Sequence, residues 1–174
     1  PDFVKKSLSN AVNSNHNQYC RSAGDPELVE TLAKHYSPLV GREINGLTEI
    51  TTSVGATEAL YALMQATIND GDEVVTLEPA FDVYPAQVQM AGGICKYVSL
   101  EYSSETSKWE LDMNKLEQSI TSKTKLLLLN TPHNPTGKVF SKEELSDIAD
   151  ILHRNPHVTA ICDEVYEKLV YDHK

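Results

Sequence analysis

Lys125–Phe140 reads KLLLLNTPHNPTGKVF. Four leucines in a row, Leu126 to Leu129, make a strand covered on both faces, because a half-exposed strand would alternate apolar with polar residues. The chain leaves that strand through a stiff turn that holds Pro132, Pro135 and Gly137 and offers two asparagines, Asn130 and Asn134. Prolines reduce the freedom of the unfolded chain, so Asn134 is held with little loop freedom, and its amide can both donate and accept. X-Pro bonds are the usual cis sites, and Thr131–Pro132 or Asn134–Pro135 is expected to be cis. The bland alternatives are a rigid surface turn or a sheet edge. Position weakens the first, since ligands of open α/β sheets bind at the carboxyl ends of strands. His133 reads as a turn residue rather than a catalyst.

Outward from this strand, the pattern alternates. EITTSVG (Glu49–Gly55) is a β-branched run, read as a strand. ATEALYALMQATI follows as a helix with Leu60, Leu63, Met64 and Thr67 on one face. EVVTL and ICKYVSL read as further strands, with a helix-like VYPAQVQMAGG between them that takes Pro85 in its first turn. EYSSETSKWE reads as a polar loop, Leu111–Ile120 as a short helix, and SKEELSDIADILHRN as a helix opened by a capping box of Ser141 and Glu144. HVTAIC is the last strand. Ahead of all this lie a helix over Phe3–Val12 and another over DPELVETLAKHYSPLVG, with Asp25 as N-cap, Pro26 at its first position and Gly41 at its end. The succession β-α-β-α-β-α-β-α-β predicts an α/β fold, a three-layer α/β/α sandwich with a mostly parallel sheet. Residues 1–47 read as an N-terminal helical segment and 48–174 as the first part of the ligand-binding domain.

The net charge of −10, with no basic patch, argues against nucleic-acid or anionic-membrane binding. Cys20, Cys95 and Cys162 fit neither a metal spacing nor a disulfide framework, so a reducing, cytoplasmic setting is the expectation. The chain begins PDFVKK without a methionine and stops in VYDHK without a helix stop signal. It is therefore expected to be a fragment, and a mitochondrial address stays open.

Four of the five expected strands end in groups suited to one ligand. Gly55, Ala56 and Thr57 open a helix, whose N-terminal N–H groups and dipole suit a phosphate; neither a P-loop nor a G-x-G-x-x-G fingerprint is present. Close packing of small residues would explain the same turn. Phe81, after Pro79, is a plate for a planar ring or a core aromatic, and Tyr84 is equally ambiguous. Asp163 follows the apolar VTAIC, where a carboxylate is costly unless paired with a cation or strong donors; an N-cap would also use it. Tyr166, three residues on, returns to the same face if the turn is helical and can donate to an oxyanion.

NTPHNPTG followed about thirty residues later by CDEVYE resembles the fold-type I, pyridoxal 5′-phosphate (PLP)-dependent aminotransferases of class I/II. SVGATEALYA, EPAFDVYPAQVQMAGG and NQYCRSAGDPELVETLAKHY agree in spacing. The resemblance covers nearly the whole chain and is greatest to the kynurenine aminotransferase and cysteine-conjugate β-lyase branch. It implies an incomplete PLP-binding large domain. By position it implies that Asp163 pairs with the protonated pyridine nitrogen and that Asn134 and Tyr166 bind the phenolic oxygen. Asn134 would also hold the substrate carboxylate, with Asn130 supporting its turn. Phe81 would stack on the ring, and Gly55, Ala56 and Thr57 would hold the phosphate. Tyr19 would reach the phosphate of a neighbouring subunit, which implies a homodimer with shared sites. The substrates implied are an amino acid, kynurenine-like or glutamine-like, and a 2-oxo acid.

The family's Schiff-base lysine and its carboxylate-binding arginine belong to segments outside this sequence. Neither Lys168 nor Lys174 has the serine/lysine context of that lysine, so no catalytic residue is assigned within the chain, and the isolated piece is expected to be inactive. Competing readings are a β-lyase, an aspartate- or alanine-type aminotransferase, and a non-catalytic dimerising fragment.

Overall fold

The structure, a computed structural model, describes residues 1–171. Its five strands are β1 (Glu73–Glu78), β2 (Ile94–Ser103), β3 (Lys108–Leu111), β4 (Thr124–Asn130) and β5 (Thr159–Asp163). They form one sheet in the order β3-β2-β1-β4-β5. The leucine run is β4, and it is covered on both faces as expected, with Leu126–Leu129 each 5% exposed or less. At about 25 cal/mol per Å², each such leucine contributes about 2 kcal/mol.

The pairs β1–β2, β1–β4 and β4–β5 are parallel. Parallel neighbours need crossovers, and helices supply them. The helices in chain order are α1 (Asp2–Asn13), α2 (Pro26–Val40), α3 (Gly46–Glu49), α4 (Gly55–Thr67), α5 (Val83–Met90), α6 (Met113–Ser119) and α7 (Lys142–Arg154), and α4 to α7 pack on this sheet. Side chains alternate along a strand, and the two faces separate cleanly. Val74, Leu126, Leu128 and Ile161 pack with Leu60, Met64 and Ile68 of α4 and its C-terminal flank, and with Tyr84 and Val88 of α5. Val75, Leu77, Val98, Leu127 and Leu129 pack with Leu116 of α6 and Ile148 and Ile151 of α7. This is the three-layer α/β/α arrangement.

Helix ends follow the local chemistry. The capping box of α7 is complete: the Ser141 hydroxyl accepts the Glu144 N–H at 3.2 Å, and Glu144 Oε2 accepts the Ser141 N–H at 2.8 Å. Pro85 lies in the first turn of α5. The buried face of α4 is Leu60 and Met64, continued by Ile68 just past its end; Leu63, expected on that face, is 38% exposed because its position turns to the helix flank.

Two strand expectations need correction. Glu49–Val54 is not a strand. A β-branched run becomes one only with ladder neighbours, and here the Thr52 N–H goes instead to the Ala23 carbonyl at 3.0 Å. Conversely, EYSSETSKWE is not a loop: β2 continues to Ser103 and returns antiparallel as β3. Tyr102 opposes Trp109 with ring centroids 5.6 Å apart, and Leu100 opposes Leu111, both buried. One apolar contact per pair suffices for a hairpin on an existing sheet, a weaker signal than a continuous apolar run.

By its contacts the chain divides into two compact units, Pro1–Val54 and the part from Gly55 onward. The first holds α1 (Asp2–Asn13), α2 (Pro26–Val40) and α3 (Gly46–Glu49). Asp25 caps α2, accepting the Glu27 N–H at 2.9 Å; Pro26 starts it, and Gly41 ends it in the left-handed conformation. Val29 and Ala33 are its buried residues, and Gly46 packs directly on its backbone.

Candidate active site

The register of the last two strands brings two site residues together. Asn130 and Asp163 are partners at the carboxyl ends of β4 and β5. By alternation, Asn130 shares the face of Leu126 and Leu128, and Asp163 that of Ile161, the face covered by α4 and α5. Asn130 is 2% exposed and satisfied on both sides. Its Nδ2 donates to the Asp163 carbonyl at 2.9 Å, and its Oδ1 accepts the Asn134 N–H at 2.6 Å. Thus the strand-end asparagine tethers the backbone of the turn asparagine.

The turn is closed by its own backbone. Gly137 N–H donates to the His133 carbonyl at 2.7 Å, and His133 N–H to the Lys138 carbonyl at 2.8 Å. Thr131–Pro132 and Asn134–Pro135 are both cis, as is Glu78–Pro79. His133 is buried, with Nδ1 2.8 Å from the Thr136 hydroxyl. Burial, and secondarily the charge of Lys138, lowers its pKa. It is a turn residue, as its sequence position implied. Lys138 ties the turn to its surroundings, donating to the Trp109 carbonyl at 2.7 Å and to Glu144 Oε1 at 2.5 Å.

Asp163 is 9% exposed. Its Oδ2 accepts the Tyr84 hydroxyl at 2.7 Å, and its Oδ1 accepts the Val165 N–H at 3.2 Å. The second contact caps a following turn. No lysine, arginine or histidine among the described residues forms an ion pair with it. A buried carboxylate held only by neutral donors is costly unless a cation pairs with it. Burial raises the pKa of Tyr84 far above that of a free phenol, and the hydrogen bond and charge of Asp163 add to the effect. The protonated Tyr84 hydroxyl donates to the carboxylate.

Asp163 opens on a cavity of about 220 Å³. The expected residues Ala56, Thr57, Phe81, Asn134 and Tyr166 line it with Asp163, joined by Leu60, Tyr84 and Val165. Gly55, at φ +79°, turns the chain into α4 just beside Ala56. Phe81 is half-buried and meets the Tyr84 ring edge-on at 5.6 Å. A second groove, of about 720 Å³, runs past Trp109 and Phe140 but gathers no comparable set. Tyr19 belongs to the first unit and is fully exposed. Lys168 is exposed and paired with Glu167 at 3.3 Å; Lys174 lies outside the described residues.

A family model described as aminotransferase class I and II matches residues 1–174. The chain belongs to that family. It is 45% identical to kynurenine–oxoglutarate transaminase of Dictyostelium discoideum, with 99% of this chain and 42% of that protein covered. It is 41% identical to human kynurenine–oxoglutarate transaminase 1, with 99% and 43% covered. Among solved structures, N-succinyldiaminopimelate aminotransferase from Mycobacterium tuberculosis superimposes with a TM-score of 0.93 at 35% identity, covering all of this chain and 44% of that one. Bna3p from Saccharomyces cerevisiae, a putative kynurenine aminotransferase, gives 0.90 at 37% identity, covering 96% and 41%. The chain spans less than half the length of the curated relatives it matches.

The donor set fits the PLP that aminotransferases use. The Asp163 carboxylate, the first turn of α4 at Ala56 and Thr57, the Asn134 amide, the Tyr166 phenol and the Phe81 ring all line one cavity. Tyr84 is the participant that sequence reasoning left undecided. The turn that opens α5 brings it beside Phe81: the Tyr84 N–H donates to the Phe81 carbonyl at 3.2 Å, and the two rings meet edge-on.

Proposed function

We propose that the whole protein is a PLP-dependent aminotransferase that moves an amino group from an amino acid to a 2-oxo acid, with a kynurenine- or glutamine-like donor. The observation that carries this is the buried carboxylate of Asp163, held by neutral donors, at one cavity with Asn134, Tyr166, Phe81 and the start of α4. Membership of the aminotransferase family supports it, as do kynurenine transaminase relatives at 41–45% identity.

Bound there, PLP supplies an electron sink for the charge left at the substrate α-carbon. Asp163 holds a proton on the pyridine nitrogen, since a buried carboxylate favours the cationic form of its partner. Phe81 stacks on the ring and excludes water from that side. The Asn134 amide and the Tyr166 hydroxyl donate to the phenolic oxygen, and Asn134 also contacts the substrate carboxylate. The N–H groups of Ala56 and Thr57, after the Gly55 bend, bind the phosphate. Asn130 keeps Asn134 in place. Tyr19 serves the phosphate of a second subunit, so the assembly is a homodimer. The proton acceptor for the α-carbon and the anchoring cation for the substrate carboxylate come from the remainder of the protein. The free cysteines support a reducing compartment, cytoplasmic or mitochondrial, and β-elimination from cysteine conjugates would use the same site.

The test is the full-length protein reconstituted with PLP and assayed with kynurenine, glutamine and a cysteine conjugate against 2-oxo acids. Amino transfer that falls by orders of magnitude in kcat in Asp163→Asn supports the reading. Undiminished turnover in that variant refutes it, and elimination exceeding transfer makes the protein a β-lyase instead.

A further inference from the structure

Two polar side chains buried on α5 stand three residues apart, on one side of the helix. Tyr84, 3% exposed, donates to Asp163 Oδ2 at 2.7 Å. Gln87, 6% exposed, donates from Nε2 to the Thr57 carbonyl in the opening turn of α4 at 2.9 Å. Because that carbonyl can only accept, the amide nitrogen faces it, and the Gln87 Oε1 is left buried without a partner. An unpaired buried acceptor costs stability, and a leucine or methionine would fill an apolar interface without that cost. The glutamine is thus a poor choice for packing, and what it provides is a fixed distance between α5 and the first turn of α4.

We propose that α5 is a positioning element of the site: Tyr84 orients the Asp163 carboxylate, Gln87 fixes the first turn of α4, and their common helix sets the ring-nitrogen and phosphate ends in register. Tyr84 and Gln87 are positioning residues, acting through Asp163 and through the backbone of Thr57. The inference rests on the PLP reading of the cavity. It also gives the two residues separable signatures, because one holds the nitrogen end and the other the phosphate end.

The experiment uses the full-length holoenzyme carrying Tyr84→Phe or Gln87→Met, both close in shape to the native residue. The readouts are PLP affinity, competition by inorganic phosphate, and the pH midpoint of the bound cofactor's visible band. Tyr84→Phe is expected to move the pH midpoint and weaken PLP binding several-fold with phosphate competition unchanged. Gln87→Met is expected to weaken PLP and phosphate together several-fold, with the midpoint unmoved and thermal stability equal or higher. Stability lost in either variant with affinity and midpoint unchanged overturns the proposal in favour of plain packing. Wild-type protein that binds no PLP overturns the PLP reading as well, and so distinguishes the two failures.

Discussion

Asn130 Oδ1 lies 2.6 Å from the backbone nitrogen of Asn134, while its Nδ2 reaches the Asp163 carbonyl at 2.9 Å. One side chain therefore joins the ends of two parallel strands to the turn that presents the second asparagine. Asn130→Ala removes the acceptor of the part-buried Asn134 N–H, which costs about 1–3 kcal/mol when unsatisfied. The Asp163 carbonyl keeps the Thr131 N–H at 3.2 Å, so it is not stranded. The expected loss is about 1–3 kcal/mol in denaturant unfolding. An unfolding midpoint within error of wild type would mean the clamp does not form.

Gly46 answers a different demand, close approach of backbones. A Cβ there would lie 2.6 Å from the Val29 carbonyl oxygen and 2.9 Å from Glu30 Cα, both main-chain atoms of α2. Main chain inside a helix does not yield as a side-chain tip does, so Gly46→Ala must push α3 away from α2. Overpacking of this kind costs about 1–3 kcal/mol. Gly41→Ala is the instructive partner: its Cβ meets nothing within 4 Å, and its cost comes from a φ of +70° alone, about 1 kcal/mol. Thermal melts of both variants check the order, with Gly46→Ala the lower.

What was legible in the sequence follows from where the physics is local. The Ser141–Glu144 box, the Asp25 cap and the Leu126–Leu129 strand are set by residues within a few positions of one another, and each was readable. Glu49–Val54 was not, because a strand needs neighbours that sequence order does not name; nor was the β2–β3 hairpin, whose pairing rests on Tyr102 facing Trp109. The site followed the same division. Strand ends pointed to Asn130, Asn134 and Asp163, whereas the Tyr84–Asp163 contact spans 79 positions and exists only once the sheet is assembled. Gln87 had no sequence signal, since its role depends on the α4–α5 packing.

The capping box makes a graded prediction. Ser141→Ala removes one of the two reciprocal bonds, with an expected cost of about 1 kcal/mol. Glu144→Ala removes the other and also leaves Lys138, 8% exposed at its side chain, without its carboxylate. An unpaired buried cation is the more severe defect, so Glu144→Ala is expected to cost roughly 2–3 kcal/mol. Equal losses for the two variants, measured by urea unfolding, would count against Lys138 being held by that pair.

His133 supplies the pH dependence. Its pKa in the fold is lowered from the ordinary value of 6.5, first by burial and then by the Lys138 charge. In the unfolded chain the imidazole titrates near its ordinary value, so between the two values the unfolded state binds more protons. Stability therefore rises with pH through that window. The contribution is fully present above 6.5 and is lost as pH falls toward the folded value. Unfolding free energy measured from pH 7.5 down to pH 5 should decline for wild type. In His133→Gln, which cannot titrate, the slope below pH 6.5 should be shallower by up to about 1.4 kcal/mol per pH unit, the limit for one proton. Unchanged slope in that variant would assign the acid sensitivity to other groups.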